Sequence, residues 1–598
     1  MFNIYRIAAV SPDLHPADTC FNVSVMTDAY AQAVKNHASL VLFPALAVTG
    51  KSCGILFQQP FLLDSAKAEA EKFAAATGNV PAVFGLPLLT GGKLLECAAV
   101  AQNGRIAGLV VRKTPELPFF TGIVPENSGF YPAGKVFDDG NLAFSVNFTG
   151  DMPEFPAAQL QLFCGAEASV PGKWKKNERF FRAISDQISG VTAAAFAGNG
   201  ESTGDMVYGG GIIICDRGKT AAVRPAPAAG AGVIYADIDL DKINHAQMRL
   251  PLSPAVDRVQ LSAIPQVPDF RYLYNPQNPF LPETPEETAK FCQETLELQI
   301  TGLGERLLRC GAKKMVLGIS GGLDSTLALV VLALLCRRYA LEPATVLAVT
   351  MPGFGTTGRT KSNAVKLAEL FGAEVREISI TDACMQHFRD IGHDPAKVNS
   401  VYENSQARER TQILMDIANQ ENGIVIGTGD LSEIALGWST FNGDQMAMYA
   451  VNSSIPKSCI APVLRYAATL LDGSGKILQD VIDTPVSPEL LPLDENGELT
   501  QKTEDILGAY ELHDFYLYHF VNGVSAPDKL FALAQNAFAG KYPDCELQRV
   551  KELFIKRFFT QQFKRTAAPD GVQAGIISLS ARTDWPMNAD ISGMLWRK

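Results

Sequence analysis

The chain has 598 residues, 47% of them apolar and 19% charged, which is ordinary for a large soluble α/β enzyme and too long for a single hydrophobic core. A formal charge of -11, with no long block of Lys and Arg, argues against nucleic acid as the main partner. The longest apolar run, residues 327–336, is about half of what a bilayer crossing needs. The eleven cysteines form no CxxC pair, so reduced thiols in a cytoplasm are expected and structural zinc is not.

In chain order, "MFNIYRIAAVSPDL" reads as a first strand and not as a signal peptide. "SLVLFPALAV" (39–48), "NVPAVFGLPLL" (79–89), "ECAAVAQNGRIAGLVVRK" (96–113) and "GGGIIICDRGKTAAVRP" (209–225) read as strands, the last two broken by Asn-Gly and Asp-Arg-Gly turns. "TDAYAQAVKNHA" and "NERFFRAISDQISG" read as helices, so residues 1–267 predict a layered α/β sandwich. Residues 268–287, rich in proline and aromatics, read as a linker that packs on a surface. Beyond it, in 288–598, strand and helix alternate. "KKMVLGI", "ATVLAVTMP" and "AEVREISI" are the strands, and "DSTLALVVLALLCRRYAL" and "TKSNAVKLAELFG" the helices, which predicts a doubly wound parallel sheet.

The stretch "GISGGLDS", Gly318, Ile319, Ser320, Gly321, Gly322, Leu323, Asp324 and Ser325, joins the first of these strands to its helix. A glycine pair lets backbone N–H groups turn toward a ligand, and the helix start aims its dipole at the same point, so an anion is expected there. No Gly-Lys-Ser/Thr follows, which excludes the Walker pattern. Asp324 beside a phosphate is repulsive without a divalent cation between them, so Mg²⁺ is expected. Further on, Glu403, Asn404, Gln406, Arg408 and Arg410 crowd one helix start, and Thr428, Asp430 and Glu433 stand at a strand's C-terminal end. The bland alternative for the helix is a solvated charged face.

The loop resembles the pyrophosphate loop of N-type ATP pyrophosphatases, in which ATP adenylates a carboxyl or base carbonyl and a nucleophile then displaces AMP. Within that superfamily "NSQAR" (404–408), "TGDLSE" (428–433) and "GWST" (437–440) resemble the NAD synthetase signature, with "MPGFGTTGRT", "IPKS", "SPEL" and "QFKRTAAPDG" in the same frame. The resemblance implies that residues Gly318 to Ser325, Thr428 and Lys457 bind ATP, that Asp324 and Glu433 lie near Mg²⁺, and that Asp324 and Lys457 are catalytic. It implies that Asn404, Glu433, Trp438, Ser439, Thr440, Phe441 and Lys564 meet nicotinic acid adenine dinucleotide. ATP would adenylate the nicotinate, and ammonia would release NAD⁺ and AMP. Gly-Asp-Leu-Ser-Glu stands where relatives carry Gly-Asn-Lys-Ser-Glu, so a substrate contact differs there. A tRNA thiolase is disfavoured by the acidic charge and the lack of paired catalytic cysteines.

The N-terminal half resembles the nitrilase-type, α-β-β-α glutaminase domain fused to glutamine-dependent NAD synthetases. That family uses a glutamate base after Phe-Pro, a lysine before a Leu-Pro, and a cysteine in Cys-Glu-Asp. Here the three positions read Ala45, Thr114 and Asn147, and the glutamine-binding serine reads Glu167. None can take over the missing role. Cys53 and Cys164 read as small buried hydrophobes. The implied protein is a synthetase with a pseudo-glutaminase, using free ammonia or ammonia from a separate glutaminase, and assembling as a homo-oligomer. The alternatives are a glutamine-hydrolysing synthetase with a shifted triad, and a catalytically idle dinucleotide-binding protein.

Overall fold

The computed structural model describes residues 2–126, 129–151, 157–251, 257–354, 358–484, 503–524 and 526–597. Part of "MPGFGTTGRT" and all of "SPEL" at 487–490 lie outside them. The chain divides into two compact units, Met1–Tyr274 and Asn275–Lys598. The proline-rich segment is shared between them. Tyr272 N donates to Asp237 in the first unit, whereas Asn275 and Gln277 donate to the carbonyls of Leu533 and Ala537 in the second.

The first unit holds two seven-stranded sheets. One runs in the order Gly232–Asp239, Ile4–Ser11, Leu40–Leu42, Ala82–Thr90, Lys93–Gln102, Arg105–Val111, Phe130–Pro132. The other runs Lys219–Arg224, Ile212–Asp216, Val191–Phe196, Leu160–Gly165, Ala143–Phe148, Val136–Asp138, Arg258–Gln260. Tyr5, Ile7, Ala9, Val83 and Val100 of the first meet Phe144, Val146, Leu162 and Ile214 of the second in a core between the sheets. The outer face of the first is covered by helices Thr19–Lys35 and Pro60–Ala75, and that of the second by Lys173–Gln187. This is the expected α-β-β-α sandwich. Its strands read as continuous apolar runs because both faces are buried. Both hairpin signals form turns with two left-handed residues, Asn103-Gly104 and Arg217-Gly218.

One expected strand is shorter. In the run 39–48 only Leu40–Leu42 is paired as strand. Pro44 brings no N–H to a ladder, and the chain turns inward past Gly85, whose N–H donates to Pro44 O. A Cβ on Gly85 would lie 2.1 Å from Leu46 N, so the turn needs glycine there.

In the second unit five parallel strands lie in the order Glu374–Glu377, Val346–Thr350, Met315–Gly318, Ile424–Gly427, Tyr449–Ala450. The first strand in the chain is central, two follow on one side, and two more on the other. That reversal opens a crevice at the C-terminal ends of Met315–Gly318 and Ile424–Gly427, where a doubly wound sheet binds its ligands. Among the described residues no helix is long and apolar enough to cross a membrane.

Candidate active site

Two loops enter the crevice. After Met315–Gly318 the backbone turns at Gly321, with φ +88°, into helix Leu323–Tyr339, whose first turn has no side-chain cap. The Ser320 and Ser325 hydroxyls lie 3.2 Å apart, Gly322 N donates to Ser320 Oγ, and Ser325 Oγ donates to Gly322 O. The loop is closed by its own hydroxyls, and the helix's first N–H groups stay uncapped by any side chain, which is the setting of an anion cradle.

After Ile424–Gly427 come Thr428 and Asp430. Asp430 caps helix Leu431–Leu436 by accepting from Glu433 N at 2.8 Å. A buried amide relay joins the two loops. Gln299 Nε2 donates to Asn452 Oδ1, and Asn452 Nδ2 donates to Asp324 O at 2.9 Å and Thr428 O at 3.0 Å.

Between the loops lies Lys457, only 6% exposed, at the start of helix Lys457–Ala468. Its Nζ is 2.7 Å from Asp324 Oδ2, 2.7 Å from Asp430 Oδ2 and 2.9 Å from Glu433 Oε1. One oxygen from each carboxylate lies within 4.8 Å of the others. Burial pushes Glu433 up to about 7 against the pull of Lys457, and raises Asp430 well above the carboxylate range. Burial alone would lower the Lys457 ammonium, but the three acids outweigh it and hold it well above the ordinary lysine range. Asp324 Oδ1 is buried with no hydrogen-bond partner. Acids outnumber the base here and one oxygen is orphaned, a donor set suited to a hard divalent cation. Glu433 and Asp324 were anticipated as metal neighbours. Asp430 joins them because the helix it caps turns it back toward Lys457.

The other expected substrate residues gather beside this cluster. Trp438 N donates to Glu433 O, and the Arg557 guanidinium lies 5.0 Å over the Trp438 ring. Thr440 Oγ1 donates to Asn404 Oδ1 at 2.7 Å, and Thr440 N to Asp444. Lys564 Nζ donates to Gly437 O and Ser439 O, and Phe441 stacks at a tilt near Phe563. Arg408 and Arg410 spend a donor each on the carbonyls of Phe441 and Met351. Sequence reasoning passed over Gln299, Asn452, Tyr510 and Asp514. Gln299 reaches the site through Asn452, Asn452 through two backbone carbonyls, Tyr510 through Lys457, and Asp514 through Ser432 and Ser458 N, relations no local pattern reveals.

In the first unit the expected triad positions do not converge. Ala45 lies in the core between the sheets, and its N–H donates to Gly165 O at 3.3 Å. Thr114 is exposed, and so is Lys113. Asn147 sits inside Ala143–Phe148, with Nδ2 bonded to Ser145 Oγ and Gln161 Oε1. Its neighbours Val146 and Phe148 face the inter-sheet core. Alternation therefore turns Asn147 to the face away from Ala45. Just past the strand end lies Thr149, whose N–H donates to Cys164 O and whose buried hydroxyl has no partner.

Nearby, charges close on one another. The buried Lys51 ammonium is 3.2 Å from Glu116. Arg112 is 2.8 Å from the buried Glu96 and 3.3 Å from Glu116, and it donates to Thr149 O. Glu167 pairs with Lys173 at 2.8 Å. Burial pushes the Cys53 thiol up to about 12 and raises Cys164 further, so neither is a ready thiolate.

The family model described as NAD synthase matches residues 296–558. The chain is 30% identical over 661 aligned positions to the glutamine-dependent NAD(+) synthetase of Mycobacterium tuberculosis, covering 99% of this chain and 97% of that protein. It is 25% identical to the enzyme of the same description from Thermotoga maritima, covering 97% of each. A crystal structure of the Cytophaga hutchinsonii glutamine-dependent NAD(+) synthetase covers 99% of this chain and 98% of its own, with 17% identity and a TM-score of 0.42. The chain is a ligase that forms a carbon–nitrogen bond. It belongs to the glutamine-dependent NAD(+) synthetase family.

Proposed function

We propose that this chain makes NAD⁺ by ATP-dependent amidation of nicotinic acid adenine dinucleotide, and that its nitrogen comes as ammonia not released by its own N-terminal unit. The observation that carries the synthetase half is Lys457 held among Asp324, Asp430 and Glu433 beside the Ser320–Ser325 loop.

Residues 318–325 and Thr428 take the ATP phosphates, with the helix dipole behind them. Asp324, Asp430 and Glu433 would hold Mg²⁺, which when bound offsets charge on the triphosphate. Asn404, Glu433, Trp438, Ser439, Thr440, Phe441 and the loop gripped by Lys564 orient the dinucleotide. A nicotinate oxygen attacks the α-phosphorus and the bond to the bridging oxygen breaks. Pyrophosphate leaves with that electron pair, near the Lys457 ammonium. Ammonia then attacks the acyl carbon, AMP departs with the C–O electron pair, and a proton is lost from nitrogen. Positioning and electrostatic stabilisation do the work.

The nitrogen half rests on the first unit. Ala45 offers no base, Thr114 no buried cation, and Asn147 no nucleophile. Thr149, at the strand end, has an alcohol with neither glutamate nor histidine bonded to it. Lys51 and Arg112 both pair with Glu116, so these charges face one another rather than an open site. This unit acts as a structural pseudo-glutaminase, and the chain works as a homo-oligomer.

The test is one assay. Purified protein receives ATP, Mg²⁺ and nicotinic acid adenine dinucleotide with either ammonium or glutamine. NAD⁺ from ammonium alone is expected. Equal NAD⁺ from glutamine restores the conventional reading, and none from either leaves an idle dinucleotide binder.

A further inference from the structure

The Lys457 cluster is built from the starts of two helices that have no covalent reason to stay in register. Leu431–Leu436 carries Glu433 and is capped by Asp430. Lys457–Ala468 begins with the lysine itself. What ties them lies on the helix Tyr510–Val521. Asp514 there is 1% exposed. Its Oδ1 accepts from the Ser432 hydroxyl, and its Oδ2 accepts from Ser458 N at 3.0 Å. Ser432 Oγ in turn accepts from Lys457 N at 2.8 Å. One carboxylate thus holds residue 432, next to Glu433, and residue 458, next to Lys457. The serine hydroxyl, also buried, closes the ring between the two backbones. One turn earlier on the same helix, the Tyr510 ring lies 5.2 Å from Lys457 Nζ and backs it on a further side.

We infer that Asp514, acting through Ser432, is a positioning residue for NAD⁺ formation: it sets the spacing between the Lys457 ammonium and the Glu433 and Asp430 carboxylates. The inference rests on the functional reading above for its kinetic consequence, but its structural consequence stands alone. Asp514 touches neither reacting group. It acts on where the lysine's backbone begins, and a displacement of about 1 Å at such a point is enough to cost 10²-fold in rate. An asparagine in its place keeps one acceptor for Ser458 N and presents an NH₂ to the serine hydroxyl, so the ring can no longer carry both bonds in their present sense.

The experiment uses the full chain, as wild type, Asp514→Asn, Ser432→Ala and the double variant, assayed with ammonium and studied as crystals. The expected result is kcat down at least about tenfold in each single variant, with KM for ATP and for the dinucleotide within about threefold. The double variant should be no worse than the poorer single one. In the Asp514→Asn crystal Lys457 Nζ should no longer lie within hydrogen-bond reach of both Asp324 and Glu433. Folded variants with kcat within twofold of wild type overturn the inference, as do losses that multiply in the double variant. If Asp514→Asn does not fold, Ser432→Ala decides, since it removes only a hydroxyl. A wild-type protein that makes no NAD⁺ refutes the functional reading, and the crystal still decides the positioning claim.

Discussion

Lys457 Nζ stands 2.7 Å from Asp324 Oδ2, and this contact joins the phosphate-type loop to the helix that follows the fifth strand. It brings together residues 133 positions apart in the chain. The pair is shielded from water and shared with two further acids, so its parts depend on one another far more than surface charges do.

Removal of the ammonium should therefore be severe. Lys457→Met leaves three clustered carboxylates with no cation, and breaking a buried pair in this way costs about 3–5 kcal/mol. A denaturant titration should show that loss. NAD⁺ formation should fall by roughly 10²–10³-fold, as for loss of one electrostatic stabiliser. Activity near wild type would remove Lys457 from the proposed chemistry.

Metal affinity should depend on pH through Glu433. With its carboxyl pushed up to about 7, Glu433 is largely protonated at pH 6 and must release that proton to bind a cation. Calorimetry should find tighter Mg²⁺ binding at pH 8 than at pH 6, and Glu433→Gln should flatten the difference. The sign for stability is the reverse. The folded value exceeds the unfolded one, so the Glu433 contribution is full below about 4.5 and is lost as pH rises toward about 7. Lys457, raised well above its ordinary value, keeps its contribution across that window and loses it only at strongly alkaline pH.

The amide relay makes a separate prediction. Asn452→Leu removes the donor to Asp324 O and Thr428 O and leaves Gln299 Nε2 without one of its acceptors. Buried groups left unsatisfied cost about 1–3 kcal/mol each. The variant should unfold at lower denaturant and show a raised KM for ATP, because the two loops are no longer held together.

In the first unit, Arg112→Met strands Glu96, which is fully buried, and frees Thr149 O. A loss of about 3–5 kcal/mol is expected on unfolding. Glutamine should still yield no NAD⁺ in this variant, because no nucleophile is uncovered.

Much of this was legible in the sequence. The doubly wound sheet followed from alternating strand and helix patterns, and Thr428 and Glu433 fell at a strand end, where an open sheet binds ligands. Three things were not legible. The run 39–48 looks like one strand by composition, but Pro44 and the close approach at Gly85 turn it inward. Asn147 was read as the nucleophile position, yet it lies inside the strand Ala143–Phe148, and alternation decides which face it shows. Asn452 and Asp514 act on distant backbone atoms, and a single sequence carries no trace of such partners.

The most direct measurement is a crystal structure with ATP and Mg²⁺ bound. The triphosphate should lie against the backbone N–H groups of residues 320–325, with the metal on Asp324, Asp430 and Glu433. A nucleotide bound elsewhere, with the Ser320–Ser325 loop empty, would contradict the account.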